Sequence, residues 1–192
     1  MTFSVSEHEE VQQQETDDMT WLEHAEERVP VGKDQLKERM QDMKDRYEGL
    51  VTSDEAAIIL VAREEGVNLV QEVKDDPRSF ELEVQNLVPG ITSVSIRVSV
   101  EVVRSINDFG DGKVRSVEVS DSTGQTQISF WDEDAEEAGN LEPGDQLAVK
   151  NGYTKDDISD YMDDRFGVPA IQIGDDSRVE VCRDEEWHDL VT

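Results

Sequence analysis

Three histidines, His8, His24 and His188, are the only imidazoles in the 192 residues, and they stand too far apart in the chain to suggest one nucleophile, base and orienting group. Cys182 is the one cysteine, which rules out an internal disulfide framework and a Cys-rich zinc site. No Gly-rich phosphate loop with its lysine and no HExxH pair occurs. The pairs Asp156-Asp157 and Asp163-Asp164 lack the glycine and terminal glutamate of a calcium loop and read as solvated charge. No enzyme, cofactor or metal is therefore expected. The residues left with chemistry to offer are aromatic rings among scattered cations. Phe109 sits in a loop with Arg104, Lys113 and Arg115 around it, Trp131 ends an alternating run, Tyr153 ends another, and Arg165-Phe166 lies in a long acidic connection. Flat rings stack on nucleobases for about 1–3 kcal/mol per base, and cations between them follow the phosphate backbone.

Such rings need strands to hold them. Residues 112–131, GKVRSVEVSDSTGQTQISFW, read as a hairpin: Asp121, Ser122, Thr123 and Gly124 have the turn chemistry, while Val117 and Val119 alternate with Ser116, Glu118 and Ser120. On the return strand Ile128 and Phe130 share one parity, and Gln127, Ser129 and Trp131 the other, so a regular strand puts Trp131 on the polar face. Two explanations fit an indole there: it is presented outward, or it closes the strand and folds under the acidic segment that follows. Arg115 has the core parity, so a twist or bulge is needed to present it.

Before the hairpin, Val94, Ile96, Val98, Val100 and Val102 alternate with polar residues in a strand of about ten residues that must bend to serve both halves of a small barrel. After it, residues 132–140 read as a short helix, Pro143-Gly144 turns the chain into a strand over 145–153, residues 154–168 form a long loop, and a last strand runs over 169–173 with further pairing through Val179 and Val181. The first part of the chain is helical in pattern. Helices are expected over 19–29, over 33–48 with Leu36, Met40, Met43 and Tyr47 in one stripe, and after a Thr52 or Ser53 cap, with Ala56, Ala57, Leu60 and Val61 inward. The Met pair and Tyr47 read as core at this spacing, with a protein-docking groove as the alternative. The expected organisation is a disordered leader over 1–18, a helical module over 19–73, a linker over 74–79, a strand domain over 80–182 and an acidic tail over 183–192. In that tail Trp187 and Leu190 either dock on another protein or pack back on the strands.

The formal net charge is −29, from 47 acidic against 18 basic residues. Such a field repels phosphate in dilute buffer. The acids run through both halves of the chain among periodic apolar residues, a pattern expected of cytosolic proteins in molar salt, where the Debye length falls to about 3 Å and only close contacts count. No apolar run approaches a membrane span, and the acidic N-terminus does not suit a signal peptide. A cytoplasmic, nucleoid-associated protein is expected.

The run VEVSDSTGQTQISFWDEDAEEAGNLEPGDQLAVKNGY resembles the middle of the oligonucleotide/oligosaccharide-binding (OB) folds of replication protein A, archaeal and halophilic in type. The resemblance rests on the Asp121 to Gly124 turn, Trp131, the acidic segment 132–138 and Pro143-Gly144-Asp145 in that order, and it covers roughly residues 80–182; residues 46–67 resemble the helical region before the fold in archaeal members. It implies an α+β chain with a small N-terminal helical module and a five-stranded OB-fold β-barrel. It implies non-enzymatic binding of single-stranded DNA in replication, repair and recombination, with other single-stranded DNA-binding subunits or self-association, and replication or repair proteins, as partners. The residues that match the family's contact positions, together with nearby rings and cations, give a candidate set of Arg104, Phe109, Lys113, Arg115, Trp131, Tyr153, Arg165 and Phe166. A protein-interaction OB module of a replication or repair complex and an RNA-binding OB protein are the alternatives.

Overall fold

The computed structural model describes residues 21–47, 51, 53–70, 82–110, 112–155, 166–183 and 185–191. The expected leader and linker lie outside them.

Three helices open the described chain: α1 (Trp21–Arg28), α2 (Lys33–Arg46) and α3 (Asp54–Glu64). Leu36, Met40 and Met43 on α2 are buried, so the stripe is core rather than a groove. Helix α3 is buried at every position from Ala56 to Ala62, as its nearly unbroken apolar sequence requires, and α1 and α2 both pack on it. Ser53 caps α3 by accepting from the Ala56 amide at 3.0 Å, and its hydroxyl donates to Asn86 Oδ1 at 3.0 Å. Asn86 belongs to a 3-10 turn, Val84–Asn86, that leads into the strands. Arg63, in the last turn of α3, donates to the Pro89 carbonyl at 2.7 Å beside Gly90, whose φ of +81° suits glycine. The helices and the strands thus bury one continuous core.

Eight strands follow among the described residues: β1 (Val94–Val103), β2 (Asn107–Phe109), β3 (Gly112–Ser120), β4 (Gln125–Trp131), β5 (Gln146–Thr154), β6 (Ile171–Gln172), β7 (Arg178–Arg183) and β8 (Glu186–Val191). Five of them close a ring of ladders, with β1 on β3, β3 on β4, β4 on β6, β6 on β5 and β5 back on β1. Strand β1 makes this possible because its first half pairs with β5, its second half with β3, and a register irregularity falls between Val100 and Val102. Val98, Val100, Val117, Val119, Ile128, Phe130, Leu147, Val149 and Ile171 fill the interior.

The short helix α4 (Asp132–Glu137) and the 3-10 turn Ala138–Asn140 follow β4, burying Ala135, Ala138 and Leu141. Gly144, at φ +97°, turns the chain into β5 and donates its amide to Val100 O at 2.8 Å.

Two expectations change. The count of five strands becomes eight, because β2 forms a short ladder on β3, and β7 and β8 extend from β5 outside the ring. The acidic tail over 183–192 contains β8, paired antiparallel with β7 from Arg183↔Glu186 to Val179↔Val191. Backbone pairing with a neighbour decides that segment, and its side-chain charge does not oppose it at the exposed outer face.

Candidate nucleic-acid interface

Trp131 ends β4 with its side chain half-buried, on the parity of Ser129 and opposite that of the buried Phe130. The next row of the sheet is polar. Ser129 pairs with Gln172 across β6, and Gln172 with Tyr153 across β5, so one transverse row links β4 to β5 over two strand spacings, about 10 Å. Ser129 and Gln172 are buried on this outward face, joined by Gln172 Nε2 donating to Ser129 Oγ at 3.4 Å. The Trp131 indole Nε1 donates to Gln172 Oε1 at 3.4 Å, and Lys155 Nζ lies 5.5 Å from the indole centroid, a cation–π contact. Trp131 is therefore tethered at its edge by an amide and faced by an ammonium. Tyr153, half-buried, stands at the far end of the row, and its ring edge lies 3.2 Å from where a Cβ on Gly174 would be. Two half-exposed rings thus flank a polar floor, with an ammonium over one of them; rings and cations are the groups that stack on bases and meet phosphates.

Lys113 and Trp131 share one end of the β3–β4 ladder, where Val114 pairs with Trp131. Asp132, at φ +48°, accepts from the Lys113 amide at 3.0 Å, and Lys113 Nζ reaches Glu136 Oε1 at 2.6 Å. The hydrogen bond and charge of Glu136 hold the Lys113 ammonium above its ordinary pKa, and Lys113 holds the Glu136 carboxyl below its own. Arg104 is exposed and meets Glu118, with its Nε 2.8 Å from Oε1.

Arg115 lies on the other face of β3, opposite in parity to Val114 and its partner Trp131. It pairs with the buried Phe130 and so has the core parity; no twist or bulge presents it. Its Nε donates to the Ala135 carbonyl at 2.6 Å and its Nη1 to the Arg104 carbonyl at 2.7 Å, while Gly139 leaves room for the guanidinium. The residue ties α4 to the strands through these two bonds.

The backbone of Phe109 pairs with Gly112 in the β2–β3 ladder; its side chain and the whole of Arg165 lie outside the described residues. Phe166 is half-buried just after that undescribed stretch. The structure thus gathers Trp131 and Tyr153 on one face, places Lys113 at its edge, and bonds Arg115 to the Ala135 and Arg104 carbonyls. Gln172 and Lys155 were missing from the expected set. The position of Gln172 between Ile171 and Ile173 marks it as outward-facing by parity, but nothing local shows that it holds an indole.

Among the described residues no group of three or more His, Cys, Asp or Glu is placed to hold a metal ion, and no helix is long and apolar enough to cross a membrane.

No family model matches the chain. Among solved structures it is similar to a replication factor A related protein from Methanobacterium thermoautotrophicum, with 21% identity and a TM-score of 0.47 over 58% of this chain and 98% of that one. It is also similar to DNA binding domain A of S. cerevisiae replication protein A, with 19% identity and a TM-score of 0.44 over 55% and 96% of the two chains. A replication protein A heterotrimer bound to ssDNA gives 16% identity and a TM-score of 0.42 over 54% of this chain and 25% of that one.

Proposed function

We propose that the closed ring of β1, β3, β4, β6 and β5 is an OB-fold barrel and that the chain binds single-stranded DNA on its β4–β6–β5 face, without catalysis, as a replication protein A-like subunit in replication, repair and recombination. The single observation behind this reading is the transverse row Ser129–Gln172–Tyr153 with Trp131 anchored to it and faced by Lys155. A small barrel has a short footprint, so pairing with further subunits or with itself raises affinity by avidity. The acidic composition fits work in molar salt, where stacking persists while phosphate contacts weaken.

A fluorescence titration in molar KCl against single-stranded DNA, single-stranded RNA and duplex tests the reading. Single-stranded DNA should bind best. Trp131→Ala and Phe166→Ala should each weaken it by about 1–3 kcal/mol with the thermal midpoint nearly unchanged. Variants that unfold instead of binding weakly would show that these rings are core.

A further inference from the structure

The strands on the other side of β5 carry a second set of the same groups. A groove of about 1640 Å³ runs over the outer surface of β1, β5 and β7, larger than the roughly 300–1,000 Å³ of a small-molecule pocket, so its dimensions suit a chain-like ligand. Arg97, Lys150, Lys155 and Arg178 line it against Asp175, Asp176 and Glu180, a balance of four cations to three acids in a chain of net charge −29. Lys150 Nζ and Glu180 Oε2 are 2.8 Å apart. At the far wall stands Trp187 of β8, at 44% exposure the one exposed large hydrophobic residue among those described. Arg97 Cζ lies 5.9 Å from its ring centroid, although β1 and β8 are three steps apart in the sheet order. Ala148 stands between Arg97 and Glu180 in the cross-strand row, so β5 carries no large side chain at that position.

The groove and the proposed binding face share residues. Tyr153 pairs with Gln172 on the face and lines the groove; Lys155 covers the Trp131 ring and lines the groove as well. Near this corner β5 changes partner, from β7 over residues 146–150 to β6 over 153–154, with Asn151 between them at φ +57°. A strand leaving Trp131 past Lys155 therefore passes from one surface to the other without leaving aromatic and cationic contacts.

We infer that a bound single strand continues from the β4–β6–β5 face around the Tyr153–Lys155 corner into the β1–β5–β7 groove and ends on Trp187 stacked with Arg97, which rests on the single-strand reading above and extends its footprint. The experiment compares oligonucleotides of about 5 and about 15 nucleotides, near the two ends of the range one OB fold covers. In the full chain with Trp21→Phe and Trp131→Phe, Trp187 is the sole indole, and its emission should respond to the long oligonucleotide and not to the short one. In the otherwise unaltered chain, Trp187→Ala should weaken the long oligonucleotide about tenfold, within the stacking range for one base, and leave the short one within about twofold. If neither length binds the unaltered chain, the single-strand reading itself falls. If both bind and Trp187→Ala changes neither, only the extension falls. Equal losses at both lengths, or a Trp187 response to an acidic peptide with none to the long oligonucleotide, would also overturn it.

Discussion

Replacing Asp121 by alanine should destabilise the whole molecule by about 3 kcal/mol at neutral pH, more than a surface turn residue ordinarily does. The number comes from what the carboxylate holds. Oδ1 accepts from the Thr123 amide at 2.7 Å, the Thr123 hydroxyl at 2.6 Å and the Gly124 amide at 3.0 Å, closing the β3–β4 turn. Oδ2 accepts from the Val84 amide at 2.8 Å, and Thr123 Oγ1 accepts from the Gln85 amide at 3.2 Å, so the turn grips the segment that α3 packs on. Water can replace the bonds within the half-exposed turn, each at a net cost of about 0.5 kcal/mol, the low end for an intramolecular hydrogen bond. The Val84 amide belongs to a residue 1% exposed, and losing a charged acceptor there costs about 1.5–3 kcal/mol. For a chain of this size that is a fall in midpoint of about 10 °C.

The pH dependence separates this account from a simple packing defect. Burial pushes the Asp121 carboxyl up, but the Thr123 hydroxyl and the Val84, Thr123 and Gly124 amides outweigh it and hold the group below its ordinary value of 3.8. A depressed folded value means the stabilisation is complete above the unfolded pKa and disappears as pH falls through the folded one. Denaturant titrations of wild type and Asp121→Ala should therefore show a deficit at pH 7 that shrinks below about pH 4. Hydrogen exchange at the Val84 amide should accelerate in the variant. A deficit that stays constant with pH, or an unchanged Val84 amide, would refute the assignment.

Arg115→Met should cost about 1–3 kcal/mol of stability by freeing the Ala135 and Arg104 carbonyls, while single-strand affinity measured well below its midpoint stays within about twofold; a large affinity loss in a stable variant would return Arg115 to the interface. Gly90→Ala should destabilise by at least about 1–2 kcal/mol, since the added Cβ meets the Arg63 guanidinium at a positive φ; in an Arg63→Ala background the steric part should disappear and the backbone part remain, and a double-mutant cycle showing no coupling would contradict the contact. Ser53→Ala should lower the stability of helices and strands together by about 1–2 kcal/mol, because the cap also donates to Asn86; separate melting of the two would argue that the helices fold independently.

Local patterns predict much of the strand order and leave the partnerships hidden. Alternation around Val117, Val119, Ile128 and Phe130 marks the hairpin, and the Asp121 to Gly124 turn chemistry predicts its connection, because both are properties of neighbouring residues. The Ser53 cap is legible for the same reason, whereas its bond to Asn86 depends on how α3 meets a segment 33 residues away. Arg115 shows how a family likeness and a local pattern can disagree. Parity points it inward, the likeness draws it outward, and the carbonyls of Ala135 and Arg104 decide for parity. Strand β8 is hard to read because Glu186, Trp187, His188 and Asp189 are all exposed and show no alternation until Val191. Its meeting with Arg97 needs the order β1-β5-β7-β8, which no local window contains.

The pairing of Lys113 with Glu136 and of Arg104 with Glu118 changes what salt can do to this surface. Ordinarily a phosphate captured by a cation releases condensed ions to the buffer, and each such contact on a single strand adds about 0.7 to the slope of log K against log salt. Here a phosphate that takes Lys113 must first evict a tethered counterion, Glu136, whose local concentration the buffer does not set. The freed carboxylate then recruits a cation of its own, cancelling much of the ion release. At these two positions binding becomes an internal exchange of one anion for another, so contacts through Lys113 and Arg104 should add little to the salt slope.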